Sequence, residues 1–280
     1  MPTRREFLKH NFAAVCGTAA ARRLAADPLG LPLGFQVYPI AKEFVGDVPG
    51  TLKTLAALGY RSVEMCSPPG YKNLFGPLME MSGSELRRRF QDAGMVCESS
   101  HYQFSELKQN LPERIEYAKQ LGLKQMIIAS FGLPQKATLD DWRRAAEEAN
   151  PIGEQTRKAG LQLGFHNHGT ELQQLDGVLV YDELIRRLDP KLVKMQCQLV
   201  DVFRAGMDPA AFLRKYAGRF VSLHLADRAA EGKPAPVGKG SIDWKAVFQA
   251  ARQAGVQNYY VEMNMEALRE SAPYLKSLNV

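Results

Sequence analysis

Short apolar runs rich in β-branched and aromatic residues alternate with longer amphipathic stretches from residue 33 to the C-terminus. This alternation constrains the fold more than any other feature of the chain. The runs predict eight strands, at residues 33–38, 62–66, 95–101, 125–130, 161–166, 193–198, 220–225 and 258–262. The stretches between them predict eight helices, at residues 48–58, 83–93, 111–121, 139–158, 181–188, 209–216, 242–254 and 265–278. Strict alternation of this kind is typical of a parallel sheet with right-handed crossovers.

Eight such units favour a closed barrel over an open sheet. A (β/α)8 barrel needs roughly 250 residues, which one domain in a chain of 280 supplies. No phosphate-binding glycine-rich loop follows the first strand, which argues against a dinucleotide-binding fold. We therefore predict an α/β protein with a single-domain (β/α)8 TIM barrel over residues 30–280. Pro151 is expected to kink or split the fourth helix.

The N-terminus has a different character. Arg4 and Arg5, followed by Phe7 and Leu8 and then by an apolar stretch at 12–21, match the twin-arginine export pattern. Residues 1–26 are therefore predicted to be a signal segment, and the protein to be periplasmic or otherwise exported. This segment has five Lys/Arg residues and one Glu, so that only +2 of the chain's net charge of +6 belongs to the rest.

A net charge this close to zero gives little electrostatic basis for binding nucleic acid, and we predict no nucleic-acid partner. No apolar run reaches the roughly 18–20 residues that a membrane-spanning helix needs. Three cysteines follow the signal segment, Cys66, Cys97 and Cys197, each within a predicted strand. Because an odd number cannot all pair within the chain, buried free thiols are expected.

Polar residues stand at the carboxyl ends of the predicted strands, where barrel enzymes place their chemistry. These positions are Tyr38, Glu64, His101, His166, His168, Gln198, His224 and Glu262. Because strand side chains alternate between faces, those of strands five to eight should line one end of the barrel interior. Imidazole, carboxylate and amide groups together predict one bound divalent metal ion, with Mn, Zn, Co or Fe favoured over Mg.

At these residues the sequence resembles the xylose isomerase-like sugar isomerases and epimerases, relatives of the family 2 AP endonucleases. The resemblance spans about residues 30–280. Its motifs are DVPGTL at 47–52, LGYRSVE at 58–64, SSH at 99–101, GFHNH at 164–168, LHLAD at 223–227, VGKGSIDW at 237–244 and YVE at 260–262.

The resemblance implies metal ligands at the ends of strands five to eight, in the order Glu, Asp, His and Glu. His224 and Glu262 match the last two positions, whereas Gln198 stands at the sixth in place of Asp. At the fifth position His166 occupies the place of the usual Glu, and Glu171 follows five residues later. A set of His166, Gln198, His224 and Glu262 carries one formal negative charge against a dication, so Glu171 is favoured as a ligand, with His166 adjacent or also bound.

The resemblance also implies removal of a proton from a carbon next to a carbonyl, with the metal stabilising the resulting enediolate. Glu171 and Glu262 are the candidate acid and base, with His101 as a polar partner. Candidate substrate-binding residues are Tyr38, Glu64, His168 and Lys239. The connections at 67–82 and 227–240, both on the catalytic face, could act as lids.

The mouth has no Arg/Lys cluster to bind a phosphate, which favours an unphosphorylated sugar, keto-sugar or glycoside as the small-molecule substrate. The leading hypothesis is a sugar isomerase or epimerase. The alternatives are a lyase acting on a 3-keto-glycoside and a non-catalytic periplasmic sugar-binding barrel.

Overall fold

Eight parallel strands close into a barrel in the structure, a computed structural model that describes residues 28–280. The strands are β1 (Gly34–Gln36), β2 (Ser62–Cys66), β3 (Val96–Tyr102), β4 (Gln125–Ile128), β5 (Gln162–His166), β6 (Val193–Gln198), β7 (Phe220–Leu225) and β8 (Asn258–Val261). Each strand pairs with the next along the chain, and β1 pairs with β8 through Gly34 opposite Tyr260. The predicted single-domain (β/α)8 barrel is confirmed.

Eleven α-helices accompany the strands in the part of the chain that the structure describes. They are α1 (Ala41–Gly46), α2 (Val48–Leu58), α3 (Lys72–Phe75), α4 (Gly83–Asp92), α5 (Phe104–Leu121), α6 (Leu139–Lys158), α7 (Val180–Arg187), α8 (Leu199–Arg204), α9 (Pro209–Lys215), α10 (Trp244–Ala254) and α11 (Met265–Ser277). Within residues 28–280, none of them is long and apolar enough to cross a bilayer. Helix α2 shows how sequence fixes helix ends: the Asp47 carboxylate accepts from the Gly50 backbone N–H, and Gly59 ends the helix at φ 106°.

One of the two outcomes predicted for the fourth helix was wrong. Helix α6 runs through Pro151 as a single helix, so the split expected at this residue does not occur. The missing N–H removes one hydrogen bond, but buried Ala146, Ala149 and Ile152 keep the helix packed on the barrel. Helix α5 begins at Phe104, but Asn110 inside it leaves helical geometry (φ −133°) just before the Leu-Pro pair. A second helical stretch therefore starts at Leu111, where the sequence predicted a helix, and the stretch before it was not predicted.

The barrel interior is polar towards the carboxyl ends of the strands. Glu64, Ser99, Gln196, Ser222 and His224 are all buried there. Cys66, Cys97 and Cys197 are buried free thiols, as expected. The predicted export segment at 1–26 lies outside the described residues.

The two long connections predicted on the catalytic face are folded. Residues 67–82 contain α3 and a 3-10 turn at Gly76–Glu80. After β7, the chain forms a short hairpin between Asp227–Arg228 and Pro234–Ala235. A second hairpin, Gln174–Leu175 with Val178–Leu179, follows β5.

Candidate metal centre and active site

Three buried imidazoles meet at the mouth of the barrel. They are His101 at the end of β3, His166 at the end of β5 and His224 near the end of β7. One ring nitrogen from each lies within 4.8 Å of the others. The ring centres of His166 and His224 are 4.6 Å apart, and those of His101 and His166 are 5.0 Å apart. Three adjacent buried imidazoles form a donor set suited to a borderline-soft divalent ion.

A buried carboxylate lies beneath these rings. Glu64 on β2 is fully buried, and its Oε2 contacts Nε2 of His224 and lies 3.4 Å from Nε2 of His101. Its Oε1 accepts hydrogen bonds from Ser99 Oγ (2.6 Å) and Gln196 Nε2 (2.7 Å). Glu64 was predicted to bind substrate. Because Glu64 is buried below the histidines, all of these contacts are with other side chains of the protein.

Glu262 and Gln198 complete the group on the other side of His224. Oε2 of Glu262 lies 3.2 Å from Nδ1 of His224 and accepts a hydrogen bond from the Gln198 side-chain amide. Within residues 28–280, Gln198 Oε1 and His166 Nδ1 are buried without a hydrogen-bond partner. Buried polar atoms are rarely left in this state, because desolvation costs roughly 1–3 kcal/mol for each. The described residues of this centre therefore fit a divalent cation.

Burial and charge shift the pKa values of the cluster in opposite directions. Burial alone would raise the pKa of Glu64, but its interactions with His101 and His224 and the hydrogen bonds from His224 and Ser99 lower it to about 2. Burial would likewise lower the pKa of His224, but Glu262 and Glu64 raise it to about 10. Burial and then His224 lower the pKa of His166 well below its ordinary range. Without metal, His224 is thus an imidazolium between two carboxylates, and His166 is neutral with a free lone pair.

A cavity of about 230 Å³ opens above the cluster. Its lining residues are Tyr38, Tyr71, His101, Gln103, Ala129, Ser130, His166, His168 and Glu262. No Lys or Arg is among them. Tyr38 is 47% exposed at the rim, and its ring meets that of Tyr71 edge to face at 5.9 Å. His168 is exposed beside His166, with the ring centres 4.8 Å apart.

Two sequence-predicted residues have contacts elsewhere. The Oε2 of Glu171 accepts from the His168 backbone N–H (2.8 Å) and from Thr170 Oγ1 (2.9 Å), which closes a 3-10 turn after β5. Glu171 does not line the cavity, so its assignment as a metal ligand stays a prediction without support from these contacts. Lys239 was predicted to bind substrate. It is exposed, pairs with Glu270 and does not line the cavity, so that assignment stays a prediction without support from these contacts.

Residues that the strand-end pattern did not select also belong to the site. Gln103 and Ser130 line the cavity from the segments just after β3 and β4. Gln196 contacts His101 Nε2 at 2.6 Å through its Oε1. Its position two residues before Gln198, on the same strand face, was the available signal.

The chain is similar to known proteins in both sequence and fold. A family described as the xylose isomerase-like TIM barrel matches residues 52–278. A sugar phosphate isomerase/epimerase from Parabacteroides distasonis superimposes with a TM-score of 0.75 at 26% identity, covering 90% of this chain and 98% of that one. The IolI protein, solved with a bound zinc atom, has a TM-score of 0.66 at 15% identity, covering 88% and 94% of the two chains. That second likeness shows the fold alone.

Curated relatives include the inosose dehydratase of Lacticaseibacillus casei, 24% identical over 178 residues. The matched region covers 52% of this chain and 59% of that protein. The chain therefore matches little more than half the length of this relative.

Proposed function

The chain belongs to the xylose isomerase-like TIM-barrel family, and from this premise we propose that it is a metal-dependent lyase acting on an uncharged, carbohydrate-like keto compound. The reaction removes a proton next to a carbonyl and expels a leaving group, water or an alcohol, from the adjacent carbon. The observation that carries the proposal is the convergence of His166, Gln198, His224 and Glu262 below a cavity. Nδ1 of His166 and Oε1 of Gln198 are buried and have no hydrogen-bond partner among the described residues. The dehydratase name of the curated relatives supports a lyase over the isomerase or epimerase of the leading hypothesis.

The ion-binding residues are His166, Gln198, His224 and Glu262, with imidazole nitrogens favouring Zn, Mn, Co or Fe. When bound, the ion supplies Lewis-acid polarisation of a carbonyl oxygen, which acidifies the neighbouring C–H. The zinc atom in the IolI structure supports a divalent ion in this family.

Proton transfer falls to the imidazoles on either side of His166. His101 lines the cavity, and burial lowers its pKa, so it is neutral at pH 7 and can accept a proton. His168 is exposed at the rim and is placed to donate a proton to the departing oxygen. Elimination needs one acceptor and one donor, which these two residues supply.

The cavity lining selects the substrate class. Its aromatic rings and uncharged polar groups, Tyr38, Tyr71, Gln103 and Ser130 among them, suit an unphosphorylated keto-sugar, 3-keto-glycoside or keto-cyclitol. A phosphate group would have no cation to pair with among the described lining residues.

Isomerisation or epimerisation is the second candidate, favoured by the isomerase/epimerase from P. distasonis, which covers nearly the whole chain. Both reactions begin with the same deprotonation. They differ in whether the proton returns to carbon or a leaving group departs.

Incubation of the metal-loaded protein in D2O with a 3-keto-glucoside or an inosose, followed by NMR, tests the proposal. Release of aglycone or water with formation of an unsaturated ketone supports the lyase. Deuterium incorporation without elimination supports the second candidate. If neither elimination nor deuterium incorporation occurs, the result contradicts both reactions and supports a non-catalytic sugar-binding barrel. His224→Ala should abolish metal binding and turnover in a folded protein. Lys108→Ala, which removes an exposed ion pair with Glu148 away from the cavity, is the matched control.

Export remains part of the proposal, supported by the arginine pair at Arg4 and Arg5 and by the cavity's lack of a phosphate-binding cation. Replacing both arginines by lysine should leave the uncleaved protein in the cytoplasm. Normal export of that double variant would contradict the assignment.

A further inference from the structure

We propose that Glu64 is the positioning residue of the metal centre and that its one carboxylate determines which ring nitrogen carries the proton in both His224 and His101. The inference rests on the proposed function, because it concerns the residues to which metal binding and proton transfer are assigned there. Glu64 itself is fully buried and does not line the cavity, so it acts through its neighbours.

The first step is the contact with His224. An ionised carboxylate can only accept hydrogen bonds, so the ring nitrogen that faces it must be protonated. Nε2 of His224 contacts Oε2 of Glu64 and therefore carries the proton. The other ring nitrogen, Nδ1, lies on the side of Glu262, 3.2 Å from its Oε2. Nδ1 is then the nitrogen that can offer a lone pair to an ion, an arrangement in which a carboxylate orients a ligating histidine.

The second step passes through Gln196. Its amide Nε2 donates to Glu64 Oε1 at 2.7 Å and to Ser222 Oγ at 2.9 Å. A reversed amide would place a carbonyl oxygen against the carboxylate, two acceptors facing each other in a buried site, so Glu64 fixes the orientation. The Gln196 carbonyl oxygen consequently faces His101 Nε2, at 2.6 Å.

A carbonyl oxygen accepts only, so Nε2 of His101 must be the protonated nitrogen when the ring is neutral. The lone pair is then on Nδ1, which makes Nδ1 the proton acceptor of this residue. One buried carboxylate thus orients His224 directly for ion binding. It orients His101 for proton transfer mainly through the Gln196 amide, whose oxygen lies 2.6 Å from His101 Nε2, whereas Glu64 Oε2 itself lies 3.4 Å away.

Glu64 also contributes charge. His166, Gln198, His224 and Glu262 together carry one formal negative charge against a dication. Glu64 adds a second, fully buried and in contact with the ring of one of these residues, where the low effective dielectric strengthens its attraction to the ion. Partners in this position typically change metal affinity by roughly 10–100-fold.

Three variants test the inference. Glu64→Gln removes the charge and the obligatory acceptor. Gln196→Met removes the amide between Glu64 and His101 and leaves only the longer approach of Glu64 Oε2 to His101 Nε2, at 3.4 Å. Glu106→Gln is the matched control, a buried carboxylate that pairs with Ser67 and Arg114 rather than with a histidine. Zinc dissociation constants are measured by competition with a chromogenic chelator, and the ring tautomers are read from histidine 15N shifts in the zinc-loaded proteins.

We expect Glu64→Gln to weaken zinc binding by roughly 10–100-fold and to mix the tautomers of both rings. Gln196→Met should mix only the His101 tautomers and change zinc affinity less than about threefold. Glu106→Gln should match the wild type in both measurements.

Wild-type zinc affinity in Glu64→Gln with unchanged histidine spectra would overturn the inference and leave the proposed function intact. An unchanged His101 tautomer in Gln196→Met would overturn the step through Gln196, even if Glu64→Gln does not fold. If the wild type binds no zinc, manganese, cobalt or iron, the proposed function itself fails. The His101 tautomer in the metal-free protein would then still test the Glu64–Gln196 connection.

Discussion

His166, the last residue of β5, and Glu171, five positions later, have very different surroundings. His166 is buried beside His101 and His224, and its Nδ1 has no hydrogen-bond partner within residues 28–280. Glu171 already accepts two hydrogen bonds that close the following turn. Charge counting from the sequence favoured Glu171 as a ligand, whereas the hydrogen bonds of the two side chains favour His166.

Glu171→Gln should therefore leave zinc affinity within about twofold of the wild type. The neutral amide keeps an oxygen for the turn, so the free energy of unfolding should fall by no more than about 1 kcal/mol. His166→Ala should weaken zinc binding strongly by comparison. A large loss of zinc affinity in Glu171→Gln would restore Glu171 as the ligand.

Helices α6 and α7 are joined by ion pairs around one carboxylate. Glu183 on α7 pairs with Arg186 (2.5 Å), Arg143 (2.7 Å) and Arg187 (3.0 Å). Hydrogen bonds from Arg186 first, and then from Arg143 and Arg187, outweigh burial and lower the pKa of Glu183 from 4.5 to about 2. The arginine side chains remain 30–60% exposed, so solvent screens part of the stabilisation that these ion pairs contribute.

Because the pKa of Glu183 is lower in the folded state, its contribution to stability is complete above pH 4.5 and is lost as the pH falls towards 2. Glu183→Gln should cost about 1–2 kcal/mol at pH 7 and progressively less below pH 4.5. Urea unfolding of both proteins at pH 7, 4 and 3 measures the difference. A difference that does not change with pH would show that the charge of Glu183 contributes nothing.

The connection after β7 depends on Asp227. This buried carboxylate accepts from the backbone N–H groups of Gly238 and Gly240 (both 3.1 Å) and from the Trp244 indole N–H (2.7 Å). A loop of this length would otherwise have few fixed contacts, so a single acceptor organises the approach to α10. Trp244, which donates this hydrogen bond, is itself buried.

Asp227→Ala should lower the free energy of unfolding by about 2–4 kcal/mol, because it removes a charged acceptor from several donors. The control is Asp243→Ala, which removes only the N-cap hydrogen bond to Ala246 and should cost about 1 kcal/mol. Chemical denaturation measures both. Equal losses for the two variants would contradict the role given to Asp227.

Closure of the whole barrel depends on a close approach between its first and last strands. At Gly34, where β1 pairs with β8, a Cβ atom would overlap the Tyr259 carbonyl oxygen and lie 2.6 Å from Cδ1 of Tyr260. Only glycine leaves room for the two backbones to pair at this point.

Gly34→Ala should therefore destabilise the protein by about 2–3 kcal/mol, since rigid backbone must move to relieve the overlap. Gly46→Ala, at the end of α1 with open space around it, should be neutral or slightly stabilising. Thermal unfolding compares the two variants. An unaffected melting temperature in Gly34→Ala would show that β1 and β8 can pair without this close approach.

The sequence by itself determined the barrel, because the signals involved are local. Alternating strand and helix periods predicted all eight barrel strands to within about two residues at each end, and the glycine after α2 marked that helix end. The strand-end positions also identified His101, His166, Gln198, His224 and Glu262 as neighbours. The short helices α1, α3 and α8 were missed, since six residues or fewer give too little periodicity to detect.

Only the tertiary structure decided what each of these residues contacts. Glu64 and His224 are 160 positions apart, and no local pattern indicates that one carboxylate lies beneath two histidines. The packing of the loops at the barrel mouth likewise decided that Glu171 and Lys239 make their contacts outside the cavity. Strand period fixes the face on which a side chain lies, whereas hydrogen-bond direction and charge depend on which strands the closed barrel brings together.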